Sequence, residues 1–311
     1  MTGRPGLKGL FWVAGGTVVL IAVMLAVLRF HKEDTLAAQL AFKTKRVELI
    51  GRIRLDLATA SEAEKSAVMA ITDRESQTFA DQARAASAAV DEERRELELL
   101  VGQSGRENER ELLSQFSRAF VECQRIDSEL LGLAVKNTNL KAYSLAFGPA
   151  ADALKEMDGA LSRMIAASAA SNSPEAKRVM LLASGAQSGA LRIQSLVPPH
   201  IWEESDQKMD QLESLMAEED QTVRKDLAGL RAILGPGEST DLKAADSGYA
   251  RFNETKKEIL ALSRQNTNVR SLTISLNQKR TAVLMCEDAL AALAKAVREA
   301  PVGDATPDLP R

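Results

Sequence analysis

Glu129-Leu-Leu-Gly-Leu-Ala-Val-Lys-Asn-Thr-Asn139 and Glu258-Ile-Leu-Ala-Leu-Ser-Arg-Gln-Asn-Thr-Asn268 decide how this chain is read. The two stretches lie 129 residues apart and agree at six of eleven positions, where chance gives about one. The same shift, without a gap, pairs Glu75-Ser76 with Glu204-Ser205, Asp81-Gln82 with Asp210-Gln211, and Asp91 with Asp220. One unit has been duplicated in tandem.

Apolar spacing around these stretches shows what the unit is. Phe116, Ala119, Cys123, Ile126, Leu130, Leu133, Asn137, Leu140, Ser144, Phe147, Ala151 and Leu154 alternate at intervals of three and four, the mark of a helix with one buried stripe. Ile259, Leu262, Asn266, Val269, Thr273, Leu276, Arg280, Val283, Glu287 and Leu290 obey the same rule in the second copy. Breaks at Gly102–Gly105, Gly148-Pro149, Ser171–Pro174, Pro198-Pro199 and Gly235–Gly237 punctuate the helices. These features predict an all-α fold: an elongated antiparallel four-helix bundle over 35–298, made of two tandem hairpins, about 35–170 and about 175–298. Helices of about 60 residues would make a rod of roughly 90 Å. A disordered tail, 299–311, is expected after the bundle.

The 20 residues Gly9–Leu28 carry no charge, enough at about 1.5 Å per residue to cross a hydrocarbon core. A transmembrane helix over 9–30 is therefore expected, after a short N-terminal tail at 1–8. Trp12 and His31 stand at its two interfaces. The run closes on Val27-Leu28-Arg29 without the small residues of a signal-peptidase site, so it reads as an uncleaved single-pass anchor.

Composition narrows the chemistry. The chain has 311 residues, 40 basic and 43 acidic side chains, a net charge of −3 and only 4% aromatic residues. No basic nucleic-acid footprint is present. Two histidines and two cysteines supply neither a zinc cluster nor a haem-attachment spacing. No phosphate loop or nucleophile elbow occurs, so a non-enzyme without cofactor or metal is expected. His200, after two prolines, reads as an exposed ring. Acidic stretches such as Asp91–Glu96 read as solvated helix faces.

The Asn-Thr-Asn repeats place Asn137 and Asn266 at core positions, with Ser144 and Thr273 one heptad on and Lys141 and Arg270 at the edge. Such a polar layer is either a device that fixes register or a cavity for a small solute lined by these six residues. As a register device, it predicts that replacing both asparagines by Leu stabilises the bundle. A single long bundle would also hold Cys123 and Cys286 about 48 Å apart, with Cys123 in the core and Cys286 at a flank.

A transmembrane segment leading into two long Ala-rich hairpins resembles the four-helix-bundle sensor domain of methyl-accepting chemotaxis receptors, over about residues 9–298. The resemblance implies a bundle on the periplasmic side of a bacterial inner membrane. It also implies a small solute as ligand, a homodimer or helical membrane partner, and a signalling role. This chain departs from the family in ending on Pro301–Arg311 without a second apolar span or signalling module, so it would act through a partner protein. A membrane-tethered spacer or scaffold without ligand is the alternative reading.

Overall fold

The computed structural model describes the backbone of residues 7–235 and 239–301, and side chains from residue 36 onward except Ser104. Every described element is a helix: α1 (Leu7–Met69), α2 (Asp73–Ser104), α3 (Glu107–Ala134), α4 (Thr138–Phe147), α5 (Pro149–Ala169), α6 (Pro174–Trp202), α7 (Asp206–Leu234), α8 (Thr240–Gln265), α9 (Thr267–Ile274), a π-turn (Ser275–Lys279) and α10 (Arg280–Glu299). The side chains of the apolar run Gly9–Leu28 and most of the expected tail lie outside the described residues. Among the described residues no helix is long and apolar enough to cross a membrane.

Local chemistry starts these helices. Ser173, Ser205 and Ser239 accept hydrogen bonds from the first-turn amides of α6, α7 and α8, which have no partner inside the helix. Thr72 and Glu75 close a reciprocal cap at α2, with Glu75 N donating to Thr72 Oγ1 at 3.2 Å and Thr72 Oγ1 donating to Glu75 Oε2 at 3.0 Å. Four continuous helices of about 60 residues do not form. Breaks at 70–72, 135–137 and 203–205 and at Asn266 cut the chain into shorter pieces.

The chain divides into two compact units. Unit 1 comprises Met1–Ser61, Ala83–Gln124 and Thr281–Arg311. Its core is built by α1 (Leu49, Ile53, Leu57), α2 (Val90, Leu97), α3 (Phe116, Phe120) and α10 (Cys286, Leu290, Leu293), all essentially inaccessible to solvent. Phe116 and Phe120 stack at 5.8 Å, and Lys43 ties down the C-terminus of α10 by donating to Arg298 O at 2.6 Å. Unit 2 comprises Glu62–Gln82 and Arg125–Arg280. There α5 packs along α8 and α6 along α7, around Met157, Leu161, Ile193, Val223, Leu227 and Phe252.

The 129-residue shift superimposes α2 on α7, α3 on α8, α4 on α9 and α5 on α10. The copies have therefore exchanged their last helices. Unit 1 draws α1–α3 from the first copy and α10 from the second, whereas unit 2 draws α6–α8 from the second and α5 from the first. Cys123 and Cys286 consequently both belong to unit 1, and both thiols are buried. The expected 48 Å separation fails because α10 lies beside α3: Lys279 reaches Asp127, and Ala282 and Met285 border one surface groove with Ala119 and Glu122.

Heptad phase also changes within the chain. Asn137 and Asn266 take left-handed backbone conformations, φ 49° and 51°, which stop the helix and restart it with a new face inward. Ser144 and Phe147 are exposed, while Ala142, Ala146 and Ala150 are buried. In the second copy the equivalent positions Ser271, Ser275, Lys279, Ala282 and Cys286 face inward where Thr273, Leu276, Arg280, Val283 and Glu287 were expected, so Cys286 is core rather than flank.

Candidate functional site

The Asn-Thr-Asn motifs meet in unit 2 as a reciprocal clasp. Each αL asparagine turns its side chain away from its own helix, leaving the first amides of α4 and α9 uncapped from within. The opposite motif caps them. Thr138 N donates to Thr267 Oγ1 and Thr267 N to Thr138 Oγ1, both at 3.2 Å. Asn139 N donates to Asn268 Oδ1 and Asn268 N to Asn139 Oδ1, both at 3.1 Å. Asn139 Nδ2 donates to Asn266 Oδ1 at 2.7 Å, and Asn268 Nδ2 to Asn137 Oδ1 at 2.9 Å. Two helix N-termini with like partial charge are thus held together by side-chain oxygens placed between them. Asn137 Nδ2 continues to Asp73 Oδ1 at 3.1 Å, and Asn266 Nδ2 to the Glu203 carbonyl at 2.7 Å.

Of the six residues singled out from the sequence, the clasp unites Asn137 and Asn266 and leaves the others outside it. Lys141 pairs with Asp73 at 2.8 Å on the surface, where its hydrogen bond holds the Asp73 carboxyl below its usual pKa. Ser144 and Arg270 are exposed. Thr273 is half-buried and donates to Glu204 Oε1 at 3.1 Å. None of the six lines the charged groove or the apolar cavity of unit 2.

His200 is fully buried rather than exposed, because α6 runs through Pro198-Pro199 to Trp202. Its Nδ1 is 2.8 Å from Ser263 Oγ and its Nε2 2.8 Å from Glu213 Oε1. Burial pulls the imidazole pKa down, against the opposing pull of Glu213. Arg264 Nε donates to the same Glu213 oxygen at 2.7 Å, and this bond holds that carboxyl below the usual range. A second polar cluster was not foreseen from the residues alone. Lys279, in the π-turn, donates to Asp127 Oδ2 at 2.5 Å. Glu64 lies beside Ser275 and Lys279, yet neither of its carboxylate oxygens accepts a hydrogen bond of good geometry. Burial raises the pKa of both Glu64 and Asp127.

The groove of unit 2 was equally hidden. Because α7 and α8 meet only briefly while α5 lies along α8, an open groove of about 1020 Å³ forms among the three. Four basic residues (Arg224, Arg231, Arg251, Lys257) and four acidic ones (Asp152, Glu156, Asp246, Glu254) line it, with Tyr249 and Asn253 at its floor. Arg231 pairs with Asp246 at 2.5 Å, Lys257 with Glu254 at 2.8 Å, and Arg251 with Glu156. Behind the floor, Tyr249 donates to Asp220 Oδ1 at 2.5 Å and Arg224 to Asp220 Oδ2 at 2.7 Å. Burial opposes ionisation of Asp220, but these bonds and Lys256 outweigh it and hold the carboxyl below its usual value. Burial, reinforced by Asp220, pushes the Tyr249 phenol up. The rim pairs are largely solvated, so each contributes little stability and can exchange for a charged solute at small cost.

Among the described residues no group of three His, Cys, Asp or Glu is placed to hold a metal ion. No family model and no curated protein matches the chain.

Proposed function

We propose that this chain is a membrane-anchored helical sensory module whose bundled part lies outside a bacterial inner membrane. It takes a small polar solute in the α5–α7–α8 groove of unit 2 and acts through a partner, either a second copy or a helical membrane protein. One observation carries the reading. Two of the three groove helices lead through the clasp into the helices of unit 1: α5 is joined to α3 by way of α4, and α8 continues by way of α9 into α10. A solute that repositions α5 against α8 therefore loads the clasp through the main chain itself. With four charges of each sign at the rim, a zwitterion or a polar solute with both donors and acceptors fits best. A spacer without ligand is the second reading, favoured by the saturation of the clasp.

The test is thermal unfolding of the purified full-length chain against a panel of amino acids and small carboxylic acids. Binding to the native state alone raises the midpoint with concentration. Ala250→Trp, at an exposed position of the groove wall, is expected to abolish the shift. A spacer predicts no solute-specific shift in either protein. Topology is tested by Ser171→Cys, which is expected to react with a membrane-impermeant thiol reagent in intact spheroplasts; labelling only after lysis overturns the orientation.

A further inference from the structure

Unit 2 holds a second cavity of opposite character, about 240 Å³ in volume, between α4–α5, α6 and α8. We infer that it is a binding site for a small neutral molecule with a ring-sized apolar body and one hydroxyl or ring N–H donor, such as an arylalkyl alcohol, a phenol or an indole. Its walls are Ala146, Ala150, Val197, Phe252 and Ile259, all buried. At 54% and 53% exposure, Phe147 and Leu191 mark its mouth. Engineered apolar cavities of about 150 Å³ already take up benzene, so this one has room for a substituted ring.

Charge and hydrogen bonding set the ligand class. Among the described residues no ionisable side chain lines the cavity, so a charged ligand would lose its hydration without compensation. The polar residues present are Gln194 and Ser195. Pro198 and Pro199 have no N–H, so the carbonyls of Gln194 and Ser195 cannot receive the hydrogen bond that a helix normally supplies four residues on. Ser195 Oγ already donates to Arg192 O at 2.7 Å, which leaves that hydroxyl only its lone pairs. The freed carbonyls and the Ser195 hydroxyl are acceptors that a ligand hydroxyl or ring N–H can meet by donating, while the Gln194 carboxamide can both donate and accept. This inference does not rest on the groove, which differs in place and in polarity.

The experiment uses the full-length chain in mild detergent, with unfolding monitored by circular dichroism. Benzyl alcohol, phenol and indole are the probes; toluene is the analogue without a donor and benzoate the charged one. Benzyl alcohol is expected to raise the midpoint by about 2–4 °C at ten times its dissociation constant, toluene by less than half of that, and benzoate not at all. Ala146→Leu fills the cavity and Ser195→Trp blocks its exposed mouth, and both are expected to remove the shift. Because the variants share the detergent, they also subtract partitioning into it. If Ala146→Leu fails to fold, Ser195→Trp decides. Equal shifts in wild type and variant, a benzoate shift matching that of benzyl alcohol, or no shift up to the solubility limit overturns the proposal.

Discussion

Asn137 shows how one residue can reverse a stability argument. Treated as an asparagine on an apolar seam, it is a polar burden that Leu would relieve. In the structure it sits at φ 49°, which costs an ordinary residue about 1–2 kcal/mol. Its side chain also accepts from buried Asn268 and donates to exposed Asp73, and losing the first bond strands a buried amide at about 1–3 kcal/mol. Asn137→Leu is therefore expected to destabilise by about 2–5 kcal/mol, and likewise Asn266→Leu. Asn137→Gly keeps the backbone conformation and should lose less. Urea unfolding checks both, and a Leu variant more stable than wild type would exclude the clasp. His200 gives a pH dependence of definite sign. Burial lowers its pKa in the folded state below the ordinary value of 6.5, so its contribution is complete above that pH and is lost as pH falls below it. The urea midpoint should decline between about pH 6.5 and pH 5, and His200→Gln should flatten that part of the slope. An unchanged slope in the variant would show that the ring does not titrate differently on folding.

At the scale of elements, glycines report where helices touch. A Cβ on Gly248, in α8, would stand 2.8 Å from Ala153 O and 3.0 Å from Met157 N of α5. Both obstacles are backbone atoms, so α5 and α8 would have to move apart. Gly248→Ala is expected to cost about 1–3 kcal/mol. Gly51 lies on the exposed face of α1 with nothing within 4 Å of such a Cβ, and Gly51→Ala should stabilise by about 0.5–1 kcal/mol. Opposite signs for one chemical change, read from unfolding midpoints, test the α5–α8 packing that borders the groove. A neutral Gly248→Ala would mean that the two helices are farther apart than described.

For the whole molecule, the exchange of last helices makes each repeat incomplete alone. A fragment of residues 36–170 contains α2–α5 and most of α1 but lacks α10, which completes the core of unit 1 with Cys286, Leu290 and Leu293. It is expected to unfold without a sharp transition and to expose Cys123 to thiol reagents at once. In the full chain both thiols are buried and should react only through opening of the fold. A cooperative fragment with a protected Cys123 would show that the repeat folds as a self-contained hairpin and would refute the exchange.

Helix type, the turns near residues 105, 148, 171 and 235 and the duplication itself could be read from the chain, because caps, breakers and apolar spacing act over a few residues. The importance of Asn137 and Asn266 was legible for the same reason, since the motif recurs intact. The helix faces beyond each asparagine were not legible. An αL residue rotates every later side chain to a new face, and it leaves no mark in a spacing of threes and fours strong enough to set the phase. That is how Ser144 came to be expected inside and Cys286 outside. The exchange was hidden more deeply. The two copies carry similar apolar faces, so α5 satisfies the same pattern against the hairpin of either copy, and sequence alone cannot choose between them. Only the tertiary structure made that choice, and with it the groove, whose walls come from α5 of one copy and α7 and α8 of the other.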